Sequence, residues 1–124
     1  MKTEIKYQLP LFSQTLSSDP IIKFDNLDII MELEGYDEKD YLRKVYITFE
    51  IVQCYKHTSE MFTPELYGAY DKVVELKDST WIQEMKKINE EKFRFWHVRH
   101  FVVYLDGIGM YEFMAQGCKV ETHE

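Results

Sequence analysis

The sequence predicts an α+β fold that is mainly an antiparallel β-sheet or partial barrel, with one helix packed on it. Three observations indicate this class. Apolar side chains recur at every second position over much of the chain, as in strands with one buried face. Short turns join these segments, which favours antiparallel pairing because parallel strands need long crossovers. One segment, about residues 79–92, has its apolar side chains at helical spacing.

The strands are predicted from alternation. Residues 3–9 and 27–33 each place one set of apolar side chains on a single face. The longest candidate is a single strand from residue 41 to about residue 57, rich in β-branched and aromatic side chains. A shorter strand is expected at residues 71–76. We therefore expect most of the chain to form sheet.

The helix is expected to begin at Asp78-Ser79-Thr80, where Thr80 and Gln83 stand three positions apart, as in a capping box. A hairpin should follow it, with strands at residues 95–105 and 110–119. Gly107 and Gly109 between them supply the backbone conformations that a tight turn requires. The last residues, 120–124, are expected to fray.

Composition limits the functional classes. The chain has 124 residues, 45% hydrophobic and 15% aromatic, which is typical of a single folded domain spanning residues 1–124. Its 22 acidic and 15 basic side chains give a net charge of −7, which argues against a nucleic-acid partner. No apolar run reaches membrane-spanning length and no signal peptide is evident. We expect a soluble cytoplasmic protein without a membrane partner.

Motifs for metals, cofactors and nucleophilic catalysis are absent from the sequence. There is no GxSxG nucleophile elbow and no CxxC pair. The glycines of the hairpin turn do not lie between a strand and a helix, as a phosphate-binding loop requires. No metal site, cofactor or set of catalytic residues is therefore predicted.

A locally basic stretch offers a candidate ligand site. Arg94, His97, Arg99 and His100 lie within seven positions of an otherwise acidic chain. Such side chains could bind an anion, and histidine could transfer protons. In a strand, His97 and His100 would point to opposite faces, which argues against a metal pair. The alternative is a strand whose basic face pairs with neighbouring acids.

Tyrosine offers a candidate partner-binding surface. The chain has nine tyrosines, several of them next to acidic residues. Tyrosine provides a large contact area at low entropic cost and is enriched in interface hot spots. The alternative is that the tyrosines only border a small sheet. The predicted partner-binding residues are Tyr55, Glu60, Glu65, Tyr67, Tyr70 and Asp71.

The chain also carries a family resemblance. The run Arg99-His100-Phe101-Val102-Val103-Tyr104-Leu105-Asp106-Gly107, followed by Tyr111-Glu112-Phe113-Met114-Ala115, resembles small uncharacterised proteins of Bacillus-type bacteria. Residues 55–67 fit the same pattern, and the likeness covers about residues 25–120. It implies a small stand-alone bacterial domain. Many acidic proteins of this kind look like immunity proteins, which bind and block a partner toxin.

Two functional hypotheses follow. The first is a non-enzymatic interaction domain of the immunity or antitoxin kind, whose acidic, tyrosine-bearing face covers a basic site on a partner protein. The second is a small-ligand (anion) binding protein or an enzyme that uses the basic cluster around residues 94–100. The second hypothesis requires at least two of the four basic side chains to converge in a pocket. Homodimerisation through the sheet is compatible with either.

Overall fold

The alternating segments form strands in two antiparallel sheets. The computed structural model describes residues 2–64 and 69–123. Short 3₁₀ turns lie at Ser13–Thr15 and Glu60–Phe62. In chain order, the helices and strands of the described residues are β1 (Thr3–Gln8), β2 (Ile21–Asp25), β3 (Asp28–Tyr36), β4 (Leu42–Glu50), β5 (Cys54–Ser59), β6 (Lys72–Leu76), α1 (Thr80–Ile88), α2 (Glu90–Phe93), β7 (Arg99–Leu105), β8 (Gly109–Ala115) and β9 (Gly117–His123).

The strands are shared between a five-stranded and a four-stranded sheet. The five-stranded sheet has the order β1-β6-β7-β8-β5, and the four-stranded sheet has the order β2-β3-β4-β9. Neighbouring strands in both sheets run antiparallel. The predicted α+β class, mainly antiparallel sheet with one main helix, is confirmed. Over residues 2–64 and 69–123 the two sheets are open and do not close into a barrel.

The main core lies between the two sheets. Strands β3 and β4 send alternate side chains inward, so their exposure alternates residue by residue along both strands. Aromatic rings from β4, β7 and β8 meet at the centre of this core. Its largest fully buried members include Phe49, Phe101, Phe113, Met31 and Ile47.

A second, smaller cluster covers the outer face of the five-stranded sheet. It contains Val74 and Leu76 of β6, Val102 and Tyr104 of β7, and Met110 of β8. Helix α1 lies against β7 on this face. Strands β7 and β8 are consequently buried on both faces, which explains why their sequences are apolar without a clear alternation.

The chain passes from one sheet to the other directly after β4. Ile51 at this point has a left-handed backbone conformation, with φ +51°, which is rare for a β-branched residue. The Asp28 carboxylate accepts a hydrogen bond from the Ile51 N–H at 2.9 Å, and the Leu27 carbonyl accepts one from Val52 N–H at 2.8 Å. The prediction of one strand over residues 41–57 was therefore wrong, because β4 and β5 belong to different sheets.

The predicted helix over about 79–92 is divided into α1 and α2. Asn89 separates the two helices, and its side-chain oxygen accepts a hydrogen bond from Lys92 N–H, which caps α2. Ser79, rather than Thr80, is the N-cap of α1. No helix among residues 2–64 and 69–123 is long and apolar enough to cross a membrane.

The C-terminal hairpin differs from the prediction at both ends. Strand β7 begins only at Arg99, because residues 94–98 form an irregular connection after α2. The returning strand ends at Ala115, and the chain then continues as β9 in the four-stranded sheet. The segment predicted to fray is therefore paired with β4 up to His123.

Candidate functional site

A pocket of about 280 Å³ opens on the outer face of the five-stranded sheet, beside the first turn of α1. Ser79 enters it from the helix start, His100 from β7 and Glu112 from β8. Trp81 and Met110 supply apolar wall. The pocket therefore joins polar groups that are far apart in sequence.

His100 and Glu112 are brought together by the register of β7 and β8. Glu112 pairs with Val102, two residues from His100, so the two side chains are diagonal neighbours on one face of the sheet. His100 Nε2 lies 2.9 Å from Glu112 Oε1. Both residues are buried, at 4% and 5% exposure. A charged group in such a position requires a partner, and each supplies one to the other.

Ser79 completes a linear chain of hydrogen bonds. Its Oγ lies 2.6 Å from His100 Nδ1 and accepts a hydrogen bond from the Ile82 N–H at 3.1 Å. The Ser79 hydroxyl is therefore directed by the helix on one side and by the imidazole on the other. With a neutral imidazole, Ser79 O–H donates to Nδ1 while His100 Nε2–H donates to the Glu112 carboxylate.

The second oxygen of Glu112 lacks a hydrogen bond. Oε2 is fully buried and has no hydrogen-bond donor among the described residues. Its nearest cation is Lys56 Nζ, at the longer ion-pair distance of 3.5 Å. The same ammonium lies 4.5 Å from the centre of the Trp81 ring, which makes a T-shaped contact with the His100 ring. Lys56 and Trp81 thus form the polar and aromatic border of the pocket.

The four basic residues predicted as a ligand site do not converge. His100 lines the pocket, but Arg99 points to the opposite face of β7 and donates a hydrogen bond to Glu75 at 2.7 Å. Arg94 and His97 are exposed in the connection before β7, and the Arg94 guanidinium lies over the neighbouring Phe95 ring. Alternation along β7 separates Arg99 from His100, so no shared anion site is formed.

Arg99 instead holds the buried carboxylate of Glu75 on the neighbouring strand β6. Burial alone would raise the pKa of Glu75, but hydrogen bonds from Arg99 and Lys77 outweigh it and lower the pKa below its ordinary value. Lys6 Nζ also approaches the Glu75 carboxylate, at 3.4 Å. This arrangement matches the alternative interpretation, in which the basic stretch pairs with neighbouring acids.

Some of the predicted partner-binding residues are placed together and others are not. Tyr70 packs against Tyr104, and Glu60 lies close enough to act on Tyr70 electrostatically; a hydrogen bond with Tyr104 and burial raise the pKa of Tyr70 to about 12. Tyr55 lies on the edge strand β5, with its ring against Phe113. Asp71 faces another way and accepts a hydrogen bond from Ser13 N–H at 3.1 Å. Glu65 and Tyr67 lie outside the described residues.

The 3₁₀ turn at Glu60–Phe62 presents two large apolar side chains to solvent. Met61 is 84% and Phe62 is 77% exposed. The turn is held in place because the Glu60 carboxylate accepts a hydrogen bond from Gly107 N–H at 2.9 Å. Thr63 Oγ1 also donates to the Glu60 carbonyl oxygen at 2.9 Å. Met61 and Phe62 therefore form an exposed apolar tip on a turn that is fixed by hydrogen bonds of Glu60 and Thr63.

Ser79 and Glu112 were not among the site residues predicted from the sequence. The sequence does contain a signal for Glu112, because this acidic residue lies inside the apolar run of β8. A carboxylate that is buried there needs a partner, which marks it as a candidate site residue. Ser79 lies next to the residue that was chosen as the cap, and nothing in its sequence context links it to His100. No group of three or more His, Cys, Asp or Glu side chains within the described ranges is placed to hold a metal ion.

Comparison with known proteins found no matching family model, no similar curated protein and no similar solved structure. The function is therefore inferred from the geometry described above.

Proposed function

We propose that this protein is an interaction domain that binds a partner protein through the turn at Glu60–Phe62, in the manner of an immunity protein that covers its partner. The observation that carries the proposal is the exposure of Met61 and Phe62 at adjacent positions of one turn. Methionine and aromatic side chains are enriched in interface cores. Two of them side by side form a natural anchor for a cleft on another protein.

The support beneath these two side chains favours binding. Glu60 and Thr63 tie the turn to its own backbone and to the hairpin at Gly107. A contact surface that is already ordered loses little conformational freedom on association, so more of the contact energy appears as affinity. On a loop without these hydrogen bonds, Met61 and Phe62 would lose more conformational freedom on binding, and the affinity would be lower.

Charge indicates the kind of partner. The chain carries a net charge of −7. Glu60 belongs to the same turn as the apolar tip, and both Glu60 and Asp106 lie close enough to Tyr70 to act on it electrostatically. Acidic charge near an apolar centre fits a partner with basic charge near an apolar cleft, and long-range attraction would speed the encounter.

The test uses a double variant, Met61→Ser/Phe62→Ser, and a matched control, Ile88→Ser. Ile88 is as exposed as Met61, at 85%, but lies on α1. Partners are captured from a lysate of the native host with tagged wild-type protein, then purified and titrated calorimetrically. We expect the double variant to bind at least about 100-fold more weakly, since each hot-spot side chain contributes about 2 kcal/mol or more. Ile88→Ser should bind like the wild type.

Two further measurements test the blocking role and the charge argument. Adding an equal amount of the protein should suppress the activity of the purified partner. The association rate should fall as salt is added, because screening weakens attraction between separated charges. Unchanged affinity of the double variant, or a partner that stays fully active in the complex, would contradict the proposal.

A further inference from the structure

We propose that Ser79 is the nucleophile of an acyl-transfer site in the pocket beside α1, with His100 as general base and Glu112 as the carboxylate that orients it. The substrate class is a small ester with a short apolar acyl group. This activity does not depend on partner binding at the Glu60–Phe62 turn. It gives a definite form to the enzyme alternative for residues 94–100, of which only His100 reaches the pocket.

The three side chains have the contacts that nucleophilic catalysis requires. A nucleophile must lie within about 2.6–3.2 Å of its base, and the base must be oriented by a third group. Ser79 Oγ lies 2.6 Å from His100 Nδ1, and His100 Nε2 lies 2.9 Å from Glu112 Oε1. All three residues are at least nine-tenths buried and all three line the same pocket. Hydrogen bonds therefore connect the Ser79 hydroxyl to the Glu112 carboxylate through the His100 imidazole.

The imidazole is reversed relative to the most familiar serine hydrolases. There the serine contacts Nε2 and the carboxylate contacts Nδ1, whereas here Ser79 contacts Nδ1 and Glu112 contacts Nε2. Either ring nitrogen of a neutral imidazole can be the acceptor once the other carries the hydrogen. Glu112 keeps the hydrogen on Nε2, which leaves Nδ1 of His100 free to accept the serine proton.

The start of α1 supplies the electrostatic part of the site. The first N–H groups of a helix have no acceptor within the helix, and they carry partial positive charge. Thr80 and Trp81, to which two of these groups belong, line the pocket next to Ser79. The positive end of the helix dipole therefore favours negative charge that develops on a carbonyl oxygen beside Ser79. The Ile82 N–H, already bonded to Ser79 Oγ, stabilises that oxygen as it loses its proton.

The size and lining of the pocket indicate what kind of ligand it accepts. Glu112 Oε2 is buried, accepts no hydrogen bond from the described residues, and has Lys56 Nζ as its ion-pair partner at 3.5 Å. The pocket to which it belongs is small, about 280 Å³, and includes apolar wall from Leu76 and Met110. A cavity of this size admits only a small ligand, because pockets for drug-sized molecules start at about 300 Å³. The volume and the apolar wall fit a short apolar acyl group.

The reaction balances with water as the second substrate. Ser79 Oγ bonds to the ester carbonyl carbon while its proton moves to His100 Nδ1, and the carbonyl electron pair moves onto oxygen. When the carbonyl re-forms, the bond to the alcohol oxygen breaks and that oxygen takes the proton from Nδ1. Water then attacks the acyl group and gives one proton to Nδ1. Cleavage of the acyl–Oγ bond releases the acid and returns that proton to Ser79.

The experiment uses diisopropyl fluorophosphate, which forms a bond from phosphorus to an activated serine Oγ and releases fluoride and the serine proton. Folded wild-type protein is treated with the reagent and then analysed by intact mass and peptide mapping. We expect one adduct, located at Ser79. It should be absent from Ser79→Ala and present in the control Ser59→Ala, which removes an exposed serine of β5. His100→Gln should react at least about 100-fold more slowly, as expected for loss of a general base.

The outcomes separate catalysis from a purely structural network. A structural network predicts no adduct at Ser79 in the folded wild type, and that result would overturn the proposal without any variant. An equal labelling rate in a folded His100→Gln protein would also overturn it. Where circular dichroism shows that His100→Gln does not fold, Glu112→Gln takes its place, because it keeps the shape of the side chain and removes the charge. Labelling at Ser79 that is slowed by Glu112→Gln supports the assignment.

Discussion

The ring of Phe49 stacks face to face on the ring of Phe113, with centroids 3.7 Å apart and planes inclined by 8°. Phe49 belongs to the four-stranded sheet and Phe113 to the five-stranded sheet, and both are fully buried. Phe101 lies beside them, 6.0 Å from Phe49. This aromatic contact joins the two sheets at the centre of the core.

Replacing Phe49 by alanine should lower the free energy of unfolding by about 3–5 kcal/mol, because a buried ring is removed and a cavity remains. Phe24→Ala is the control, since Phe24 is 73% exposed and only its edge contacts Tyr55. That variant should change stability by less than about 1 kcal/mol. Urea denaturation measures both. Similar losses in the two variants would show that the inter-sheet stack is not a main source of stability.

Ser79→Ala should destabilise the protein by about 2–3 kcal/mol. It removes the N-cap of α1, worth about 1 kcal/mol, and leaves His100 Nδ1 without its buried partner. Thr80→Ala, at the next position, should stay within about 0.5 kcal/mol, because its side chain is exposed. Chemical denaturation of the two variants shows whether Ser79 or Thr80 is the N-cap of α1. If Thr80→Ala lowered the free energy of unfolding more than Ser79→Ala, Thr80 would be the N-cap, as the sequence pattern predicted.

The Glu75–Arg99 ion pair should make the free energy of unfolding depend on pH in the acidic range. Since folding lowers the pKa of Glu75, the stability that the pair contributes is present above the ordinary carboxyl pKa of 4.5 and is lost as the pH falls through the folded pKa. A double-mutant cycle with Glu75→Gln and Arg99→Gln measures the coupling at each pH. We expect favourable coupling at pH 7 that declines below about pH 4.5. Coupling that persists unchanged in acid would contradict this assignment.

The two glycines of the β7–β8 turn should differ sharply in their tolerance of alanine. Both have left-handed backbone conformations, φ +79° at Gly107 and +128° at Gly109. A methyl group at Gly107 meets nothing within 4 Å, so Gly107→Ala should cost only the backbone strain, about 1–2 kcal/mol. At Gly109 the methyl group would overlap the Thr58 carbonyl oxygen. Gly109→Ala should therefore lose clearly more stability in thermal denaturation, and equal losses would be inconsistent with this packing.

Local pattern predicted the strands well where one face is buried. The alternation over 27–33 corresponds to β3, and the adjacent positions Arg99 and His100 do face opposite sides of β7. The same alternation continues across Ile51, so it could not reveal that the chain changes sheet there. The change depends on a left-handed φ at a β-branched residue and on a hydrogen bond to Asp28, neither of which has a local signature.

The candidate pocket could be predicted only in part. His100 was selected because histidine is chemically versatile, but its partners depend on strand register and on the placement of α1 over the sheet. Register follows from the whole set of strand pairings, so Glu112 could not be assigned to His100 from its position in the sequence. The exposure of Met61 and Phe62 was not predicted either, because the local sequence does not distinguish an exposed apolar pair from a buried one.

The position of β9 has a consequence for how the chain assembles. Strand β4 pairs on one side with its sequence neighbour β3, but on the other side with β9, through distant contacts such as Val45 with Thr122. Until that late segment arrives, β4 has a free edge of unpaired N–H and C=O groups, which is a template for joining other chains. Closing so long a loop is also slow compared with forming local contacts. We therefore expect aggregation to compete with folding for as long as this edge of β4 is unpaired.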